Sequence, residues 1–391
     1  MEGVSDLYSY ITVYFLMGLK QSEILAFLAD KHNIFISERH LRRKLHQLKL
    51  YRRKYYTNVD EVIAYITENV RNHGQLHGYR WMHLKCIQNG FVVSQEVVRS
   101  ILHIVDPDGI EIRRRRRLRR RQYKNKGPNF LWHIDCYDKL KPFGICVSGC
   151  IDGFSRKIVW LKAGRNSNDP RIICGYYIQI IKDLGGCPQT VRADLGTENG
   201  IVRQVQVHLR ELGENHTHYS LPPFLYGTSP NNQRIEAWWS ILRKHHSQYW
   251  LNLFHKLKDD GLYSGNFLDK SLIQFCFMSI IQKELDTVAM EWDLHQISRS
   301  RNAVSPIGKP FIMYNIPEVY GTKDYLCNLS SADIGDYEEQ CLFHNCPCDD
   351  DFYELCVIIM SENGYVMPKT STDAVDLYLN LRHQLLPYFA T

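Results

Sequence analysis

The chain has 391 residues, of which 44% are hydrophobic, and its formal net charge is +6. This length exceeds that of a typical single domain, so we expect two to four folded modules. No run of eighteen or more apolar residues occurs, and the apolar segment near the N-terminus lacks the basic stretch and cleavage site of a secretory signal. These features exclude a helical membrane protein and a secreted one. We therefore expect no membrane partner and a cytosolic or nuclear location.

The first predicted module, residues 1–55, has the pattern of a helix-turn-helix. Apolar residues recur with helical spacing from Ile24 to Leu28, a break follows at 32–35, and Ser37 is a natural N-cap for a second helix. That helix would bury Leu41, Leu45 and Leu48 and expose the basic side chains Arg39, Arg42, Arg43 and Lys44. We predict a DNA-recognition helix here; the alternative is a plain helical hairpin with a basic solvent face.

A second helical module is predicted over residues 56–112. A break at 88–90 separates two amphipathic stretches, and Ser94 is placed to cap the second of them. That stretch would bury Val97, Val98, Ile101 and Leu102 and expose Arg99. Two helix-turn-helix units in tandem would bind an extended DNA site.

A basic run at 113–126 follows, in the predicted linker 113–127. It contains eight arginines, two lysines and no acid: Arg113, Arg114, Arg115, Arg116, Arg117, Arg119, Arg120, Arg121, Lys124 and Lys126. Such a run repels itself, so its plain interpretation is a disordered linker or a nuclear-localisation signal. Its specific interpretation is a strap that binds DNA phosphates, and both can hold at once. We expect a nuclear protein whose partner is double-stranded DNA.

The segment from 128 to 310 has the order of elements expected of a ribonuclease H-like α/β core. Strands are predicted at about 129–138, 143–152, 156–163 and 189–194, and helices at about 168–184 and 198–212. Asp152 and Gly153 begin a turn between the second and third strands. Another helix is predicted from Ile235 to His245.

Three acids occur in this core in separate contexts. Asp135 lies in WHIDCYD, Asp194 in RADLGTENG and Glu236 in SPNNQRIEAWW. A half-buried carboxylate is costly unless something compensates its charge, and a hard cation with oxygen ligands is one such compensation. Four nearby acids are less suitable, namely Asp138, Asp152, Asp183 and Glu198, of which Glu198 is the most credible substitute.

In these motifs the sequence resembles the DDE integrases and transposases, over roughly residues 60–320. Trp132 and Asp135 match the first motif, Asp194 and Gly196 the second, and Glu236 the third. The resemblance implies that Asp135, Asp194 and Glu236 are catalytic and bind two Mg²⁺ or Mn²⁺ ions for DNA cleavage and strand transfer. It also implies assembly as a homo-oligomer.

The second motif departs from the family pattern. Leu195 stands where relatives have an asparagine, and Asn199 is a possible replacement for that amide. The spacing from Asp194 to Glu236 is longer than usual, which indicates an insertion near 216–226. These departures favour an alternative function, a domesticated DNA-binding protein that keeps the fold without catalysis.

Other segments carry weaker signals. Arg243 and Lys244 follow Glu236 on its predicted helix and would contact DNA, or they are ordinary solvated surface. Residues 311–391 form a C-terminal region of unknown role, in which 321–391 turn acidic before an apolar C-terminal helix. A group with zinc-ligand chemistry occurs there, with Cys341, His344, Cys346, Cys348 and then Cys356, but it lacks paired C-x-x-C spacing, so zinc binding stays open.

Overall fold

A computed structural model of the protein describes residues 2–71, 77–107, 110, 125–212, 221–227, 232–298, 306–343 and 346–389. The chain forms two compact units, and both are discontinuous in sequence. The first contains 1–126 and 290–323, and the second contains 127–289 and 324–391. Within the described ranges, no helix combines the length and apolar character needed to cross a bilayer.

The helices are α1 (Glu2–Leu16), α2 (Gln21–His32), α3 (Glu38–Gln47), α4 (Val59–Arg71), α5 (Tyr79–Gln88), α6 (Gln95–Val105), α7 (Pro170–Leu184), α8 (Gly200–Leu212), α9 (Gln233–Leu242), α10 (Gln248–Asp259), α11 (Phe267–Leu294), α12 (Pro310–Asn315), α13 (Ser331–Gly335), α14 (Asp350–Asn363) and α15 (Ser371–Phe389). The strands are β1 (Trp132–Tyr137), β2 (Cys146–Asp152), β3 (Ile158–Gly164), β4 (Gly186–Cys187), β5 (Val191–Ala193), β6 (Phe224–Tyr226) and β7 (Cys327–Asn328).

The first unit begins with the α1–α3 group, in which α2 and α3 form where the sequence pattern places them. The Ser37 hydroxyl accepts a hydrogen bond from the His40 amide and caps α3. Asn33 ends α2 in the left-handed conformation, which turns the chain toward α3. Leu41 and Leu45 are buried against Phe27, so the basic face of α3 is left outward.

Helices α4–α6 form a second small core within the same unit. Ser94 caps α6 by accepting a hydrogen bond from the Val97 amide. Val98, Ile101 and Leu102 are buried as predicted, but the expectation for Val97 was wrong, because 36% of it is exposed. One residue corresponds to about 100° around a helix, so Val97 lies at the margin of the buried stripe that Val98 defines.

The returning segment 290–323 completes the first unit. Leu294, Ile312 and Ile316 pack into the same core as α2 and α3. Glu291 is buried, accepts a hydrogen bond from the Trp81 indole at 2.7 Å and pairs with Lys85 at 3.2 Å. A buried charge is tolerated only when paired and hydrogen-bonded, so these contacts fix the segment against α5.

The second unit is built on a five-stranded mixed sheet in the order β3-β2-β1-β5-β6. The first three strands form an antiparallel meander, and β5 and β6 run parallel to β1. Trp132 is fully buried and meets Trp160 and Tyr177 edge-on, so β1 lies at the centre of the core. The predicted α/β class and the order of its elements are therefore confirmed.

Strand β6 lies where an insertion had been expected. Phe224, Leu225 and Tyr226 pair with β5 as the edge strand, so this part of 216–226 belongs to the sheet and is not a surface loop. Residues 213–220 lie outside the described ranges. The apolar triplet after two prolines was the signal available in the sequence.

Residues 324–391 belong to the second unit. Strand β7 pairs with β4, with Cys327 opposite Cys187. In α15, the Arg382 guanidinium binds the buried Asp269 carboxylate at 2.7 Å, and the Tyr378 hydroxyl donates to the Leu262 carbonyl at 2.7 Å. These contacts give the C-terminal region a structural role in the same unit as the sheet.

Candidate active site

Asp135 occupies the fourth position of β1, opposite Gly149 on β2. It is partly buried, as the strand pattern predicts. The pKa of its carboxyl is raised to about 7, first by burial and then by the negative charges of Glu236 and Asp194, against a hydrogen bond from Trp239 that lowers it. Glu236 and Asp194 thus both lie within electrostatic reach of Asp135.

Trp239, on α9, holds one oxygen of the Asp135 carboxylate. Its indole nitrogen donates to Asp135 Oδ2 at 2.7 Å, and its ring lies 5.5 Å from that of Tyr137. Gly149 makes room for this ring, because a Cβ atom there would lie 2.5 Å from Trp239 Cη2. The sequence analysis assigned no role to Trp239, so this contact was missed.

Asn232 ties the beginning of α9 to β1. Its amide nitrogen donates to the Ile134 carbonyl at 2.8 Å, so its oxygen is the acceptor for His133 Nδ1 at 2.6 Å. Burial lowers the pKa of His133 to about 3, so the imidazole is neutral and Nδ1 carries the donated proton. Asn232 precedes the helix but does not cap it with its side chain, and its contacts instead fix the turn of α9 that carries Glu236.

Asp194 directly follows β5, the parallel neighbour of β1, at the end of the sheet where parallel strands finish. The buried Asn199 amide donates to Asp194 Oδ1 at 3.4 Å and to Glu198 Oε1 at 3.2 Å. This contact is the one that the sequence suggested Asn199 might supply in place of Leu195. Leu195 itself is 73% exposed.

Glu198 lies close to the same site. Its side chain folds over Gly196, where a Cβ atom would fall 1.9 Å from Glu198 Oε1. Burial raises the pKa of Glu198, and the negative charge of Asp194 adds to the rise. A fourth carboxylate therefore stands beside the motif acids, which agrees with its selection as the most credible substitute.

The other rejected acids have structural partners. Asp152 is fully buried and accepts hydrogen bonds in the turn before β3. Asp138 accepts a hydrogen bond from Lys141 Nζ at 3.0 Å. Asp183, on the exposed end of α7, accepts one from the Gln179 side-chain amide at 3.1 Å. These three carboxylates are already engaged by protein donors.

The donor chemistry of the site fits a divalent cation. Among the described residues, no three His, Cys, Asp or Glu side chains are arranged to hold a metal ion together. The fit rests instead on electrostatics, because Asp135 is mostly buried and faces two like charges that raise its pKa. A hard cation would offset that repulsion and prefers carboxylate oxygen ligands.

The basic residues named from the sequence are distributed over both units. Arg39, Arg42 and Arg43 are exposed on α3, whereas Lys44 is partly buried and donates to the Tyr8 hydroxyl at 2.7 Å.

Arg243 and Lys244 are exposed on a π turn, 243–247, that joins α9 to α10. Burial raises the pKa of Tyr137 and the charge of Arg243 partly offsets that rise, which places Arg243 near the Trp239 contact. Lys126 is exposed, and 111–124 lie outside the described residues, so the basic run stays a prediction.

The possible zinc group gains no support from the residues that are described. His344 lies outside them. Cys346, Cys348 and Cys356 belong to no group of ligands arranged around a metal position among the described side chains. Burial raises the pKa of both Cys348 and Cys356 to about 12, which keeps these thiols protonated.

The sheet order, the parallel addition of β5 and β6 to an antiparallel meander, and the acids at β1 and β5 define a ribonuclease H-like α/β fold. Residues 122–308 match the family described as the integrase core domain, a range that contains Asp135, Asp194 and Glu236. The match supports a retroviral-integrase-like DDE family for this part of the chain. No curated protein matches the chain.

Proposed function

We propose that this chain is a metal-dependent DNA-cleaving and strand-transferring enzyme with Asp135, Asp194 and Glu236 as its catalytic carboxylates. The observation that carries the proposal is the electrostatic convergence of these three acids. Two of them raise the pKa of the third, although 41 or more residues separate each from the next in sequence. Such strongly perturbed carboxyls are characteristic of functional sites.

The chain's own residues would bind and orient the reacting groups. Asp135, Asp194 and Glu236 would hold two Mg²⁺ or Mn²⁺ ions, which when bound supply an activated water or 3′-hydroxyl and neutralise charge at phosphorus. Trp239 would keep Asp135 Oδ2 fixed and leave Oδ1 directed toward the ions. Asn232 would hold the first turn of α9, and with it Glu236, against β1.

DNA binding is assigned to the exposed cations. The basic face of α3 would enter a groove of double-stranded DNA, and the basic run and Arg243 with Lys244 would contact phosphates. We also propose that the protein acts in the nucleus and as a homo-oligomer, since two DNA ends must be joined to one target.

The test is nicking of supercoiled plasmid by purified protein in Mn²⁺, with wild type beside Asp194→Asn. Asp183→Asn is a matched control, because it removes the same charge from the exposed end of α7. We expect nicking by wild type and the control but not by Asp194→Asn, with DNA affinity equal in all three. Equal nicking by wild type and Asp194→Asn would contradict the assignment.

The same experiment decides the alternative function. A domesticated DNA-binding protein would bind plasmid without nicking it, and its affinity would be indifferent to Asp194→Asn. The exposed Leu195 beside Asp194 is the observation that favours this alternative.

A further inference from the structure

A second concentration of positive charge lies in the first unit and is not part of the basic run. Residues 39–59 contain eight lysines and arginines and no acid. Four of these cations are on α3, and the other four lie in the segment 49–56, which we call the 49–56 linker: Lys49, Arg52, Arg53 and Lys54. The linker joins the α1–α3 group to the α4–α6 group.

The 49–56 linker is fixed at both ends. The Leu50 amide donates to the Leu45 carbonyl at 2.9 Å at the end of α3. Just after the linker, the Thr57 amide donates to the Val92 carbonyl at 3.0 Å, and its hydroxyl accepts from the Val92 amide at 2.9 Å. The linker is therefore held in a defined position on both helical groups.

The middle of the linker is anchored by Arg52. Its guanidinium lies 3.7 Å from the centroid of the Phe15 ring and donates to the Phe15 carbonyl. Lys49 and Tyr55 adopt left-handed backbone conformations, with φ of 54° and 55°. Non-glycine residues accept that conformation at a cost, and such strain collects at functional segments.

The anchored backbone directs a set of side chains outward. Arg53 and Lys54 are exposed, and among the described residues neither forms an ion pair. Tyr55 and Tyr56 are 79% and 58% exposed, which is unusual for large aromatic side chains. Two cations and two phenols in succession match the donors that contact DNA phosphates and sugars.

We propose that the 49–56 linker binds the phosphate backbone of double-stranded DNA between the sites of the two helical groups. The inference rests on the proposed DNA binding of α3, because the linker begins two residues after that helix ends. Eight residues reach at most about 27 Å, which is less than one turn of duplex DNA at about 34 Å. A duplex contacted by α3 therefore presents phosphates within reach of Arg53 and Lys54.

The experiment measures the affinity of the full chain for a labelled mixed-sequence duplex over a range of KCl concentrations. The variant is Arg53→Ala with Lys54→Ala, and the matched control is Lys256→Ala with Lys258→Ala, which removes two exposed charges from α10 in the second unit. Loss of two phosphate contacts should reduce the slope of log K against log salt by about 1.8. Affinity at the lowest salt should fall roughly tenfold or more, while the control keeps the wild-type slope.

A charge-preserving variant, Arg53→Lys with Lys54→Arg, should bind with the wild-type slope and separates charge from folding. A wild-type slope in the alanine variant would overturn the assignment of the linker alone. Absence of duplex binding by the wild-type chain would overturn the proposed function as well. The two failures are therefore distinguishable.

Discussion

Two aspartates on neighbouring strands, the partly buried Asp135 and the fully buried Asp152, have opposite surroundings. Asp152 accepts hydrogen bonds from the amides of Asn129, Phe154 and Ser155 and from the Ser155 hydroxyl, at 2.7 to 3.1 Å. Asp135 accepts one hydrogen bond, from the Trp239 indole, and lies near the negative charges of Asp194 and Glu236. The comparison teaches that burial alone does not separate the proposed catalytic acid from a structural one. The two differ in whether their neighbours are hydrogen-bond donors or other acids.

The largest expected effect is on the activity of Asp135→Asn. Removing this carboxylate should lower Mn²⁺-dependent nicking at least about a thousandfold, which corresponds to about 4 kcal/mol of activation free energy. The free energy of unfolding should stay constant or rise, because the variant lacks the charge that Asp194 and Glu236 repel. Nicking assays and urea unfolding of the same preparation check both expectations. Activity within a few-fold of wild type would contradict the proposed catalytic role of Asp135 and with it the contrast with Asp152.

The reverse result is expected for Asp152→Asn. An asparagine must turn an N–H group toward at least one of the donors that the carboxylate satisfies, so it leaves buried groups unpaired. We expect a loss of about 2–4 kcal/mol in the free energy of unfolding. Asp183→Asn, at an exposed position, should change that free energy by no more than about 0.5 kcal/mol. A stable Asp152→Asn variant would show that the turn does not depend on the carboxylate.

A pH-dependent effect should come from His133, two residues before Asp135. Its pKa is lowered by burial to about 3 in the folded chain, below the ordinary value of 6.5. The unfolded chain therefore binds the proton first, and the stability supplied by the neutral ring is lost as pH falls from 6.5 toward 3. Between pH 7 and pH 5 the loss should be about 2 kcal/mol.

Replacing this ring checks the attribution. His133→Gln keeps an amide that donates to Asn232 but does not titrate, so from pH 7 to pH 5 the unfolding free energy of wild type should fall by about 2 kcal/mol relative to that of the variant. Urea unfolding at the two pH values compares it with wild type. An unchanged pH dependence would place the acid sensitivity in other groups.

The smallest expected effect is that of Trp239→Phe. The ring is kept and only the hydrogen bond to Asp135 Oδ2 is removed, at a cost of about 1.4 kcal/mol or roughly tenfold in nicking rate. The Mn²⁺ concentration for half-maximal nicking should rise, since a freely turning carboxylate is a poorer ligand. Gly149→Ala should have a similar effect by displacing the indole. Unchanged metal dependence in both variants would deny Trp239 a positioning role.

The sequence correctly predicted the helix caps and strands, which depend on residues that are close along the chain. Ser37 and Ser94 cap helices through hydrogen bonds that span three residues, and the strands β1, β2 and β3 follow the local apolar pattern. Such features are set within a few residues, so a single sequence is sufficient to place them.

The sequence did not predict contacts between distant residues. His133 and Asn232 are 99 positions apart, and Asn232 resembles an ordinary helix cap until the fold brings β1 beside it. Strand β6 has only three residues, too few to show an alternating pattern. The three motif acids could be chosen from the sequence because each lies in a recognisable local motif. Trp239 and Asn232, which contact β1, lie in no motif that indicates those contacts.

The return of segment 290–323 to the first unit has a consequence for how this protein can be divided. The chain passes between the units at 126/127, 289/290 and 323/324, so each unit is encoded by two separate stretches. No single stop codon or protease cut releases either unit whole. A truncation that ends before residue 290 removes Leu294, Ile312 and the partner of Lys85 from the N-terminal fold, and would expose its core. Deletion mapping of this protein would therefore report misfolding as loss of DNA binding, unless the two stretches of a unit are joined by a designed linker.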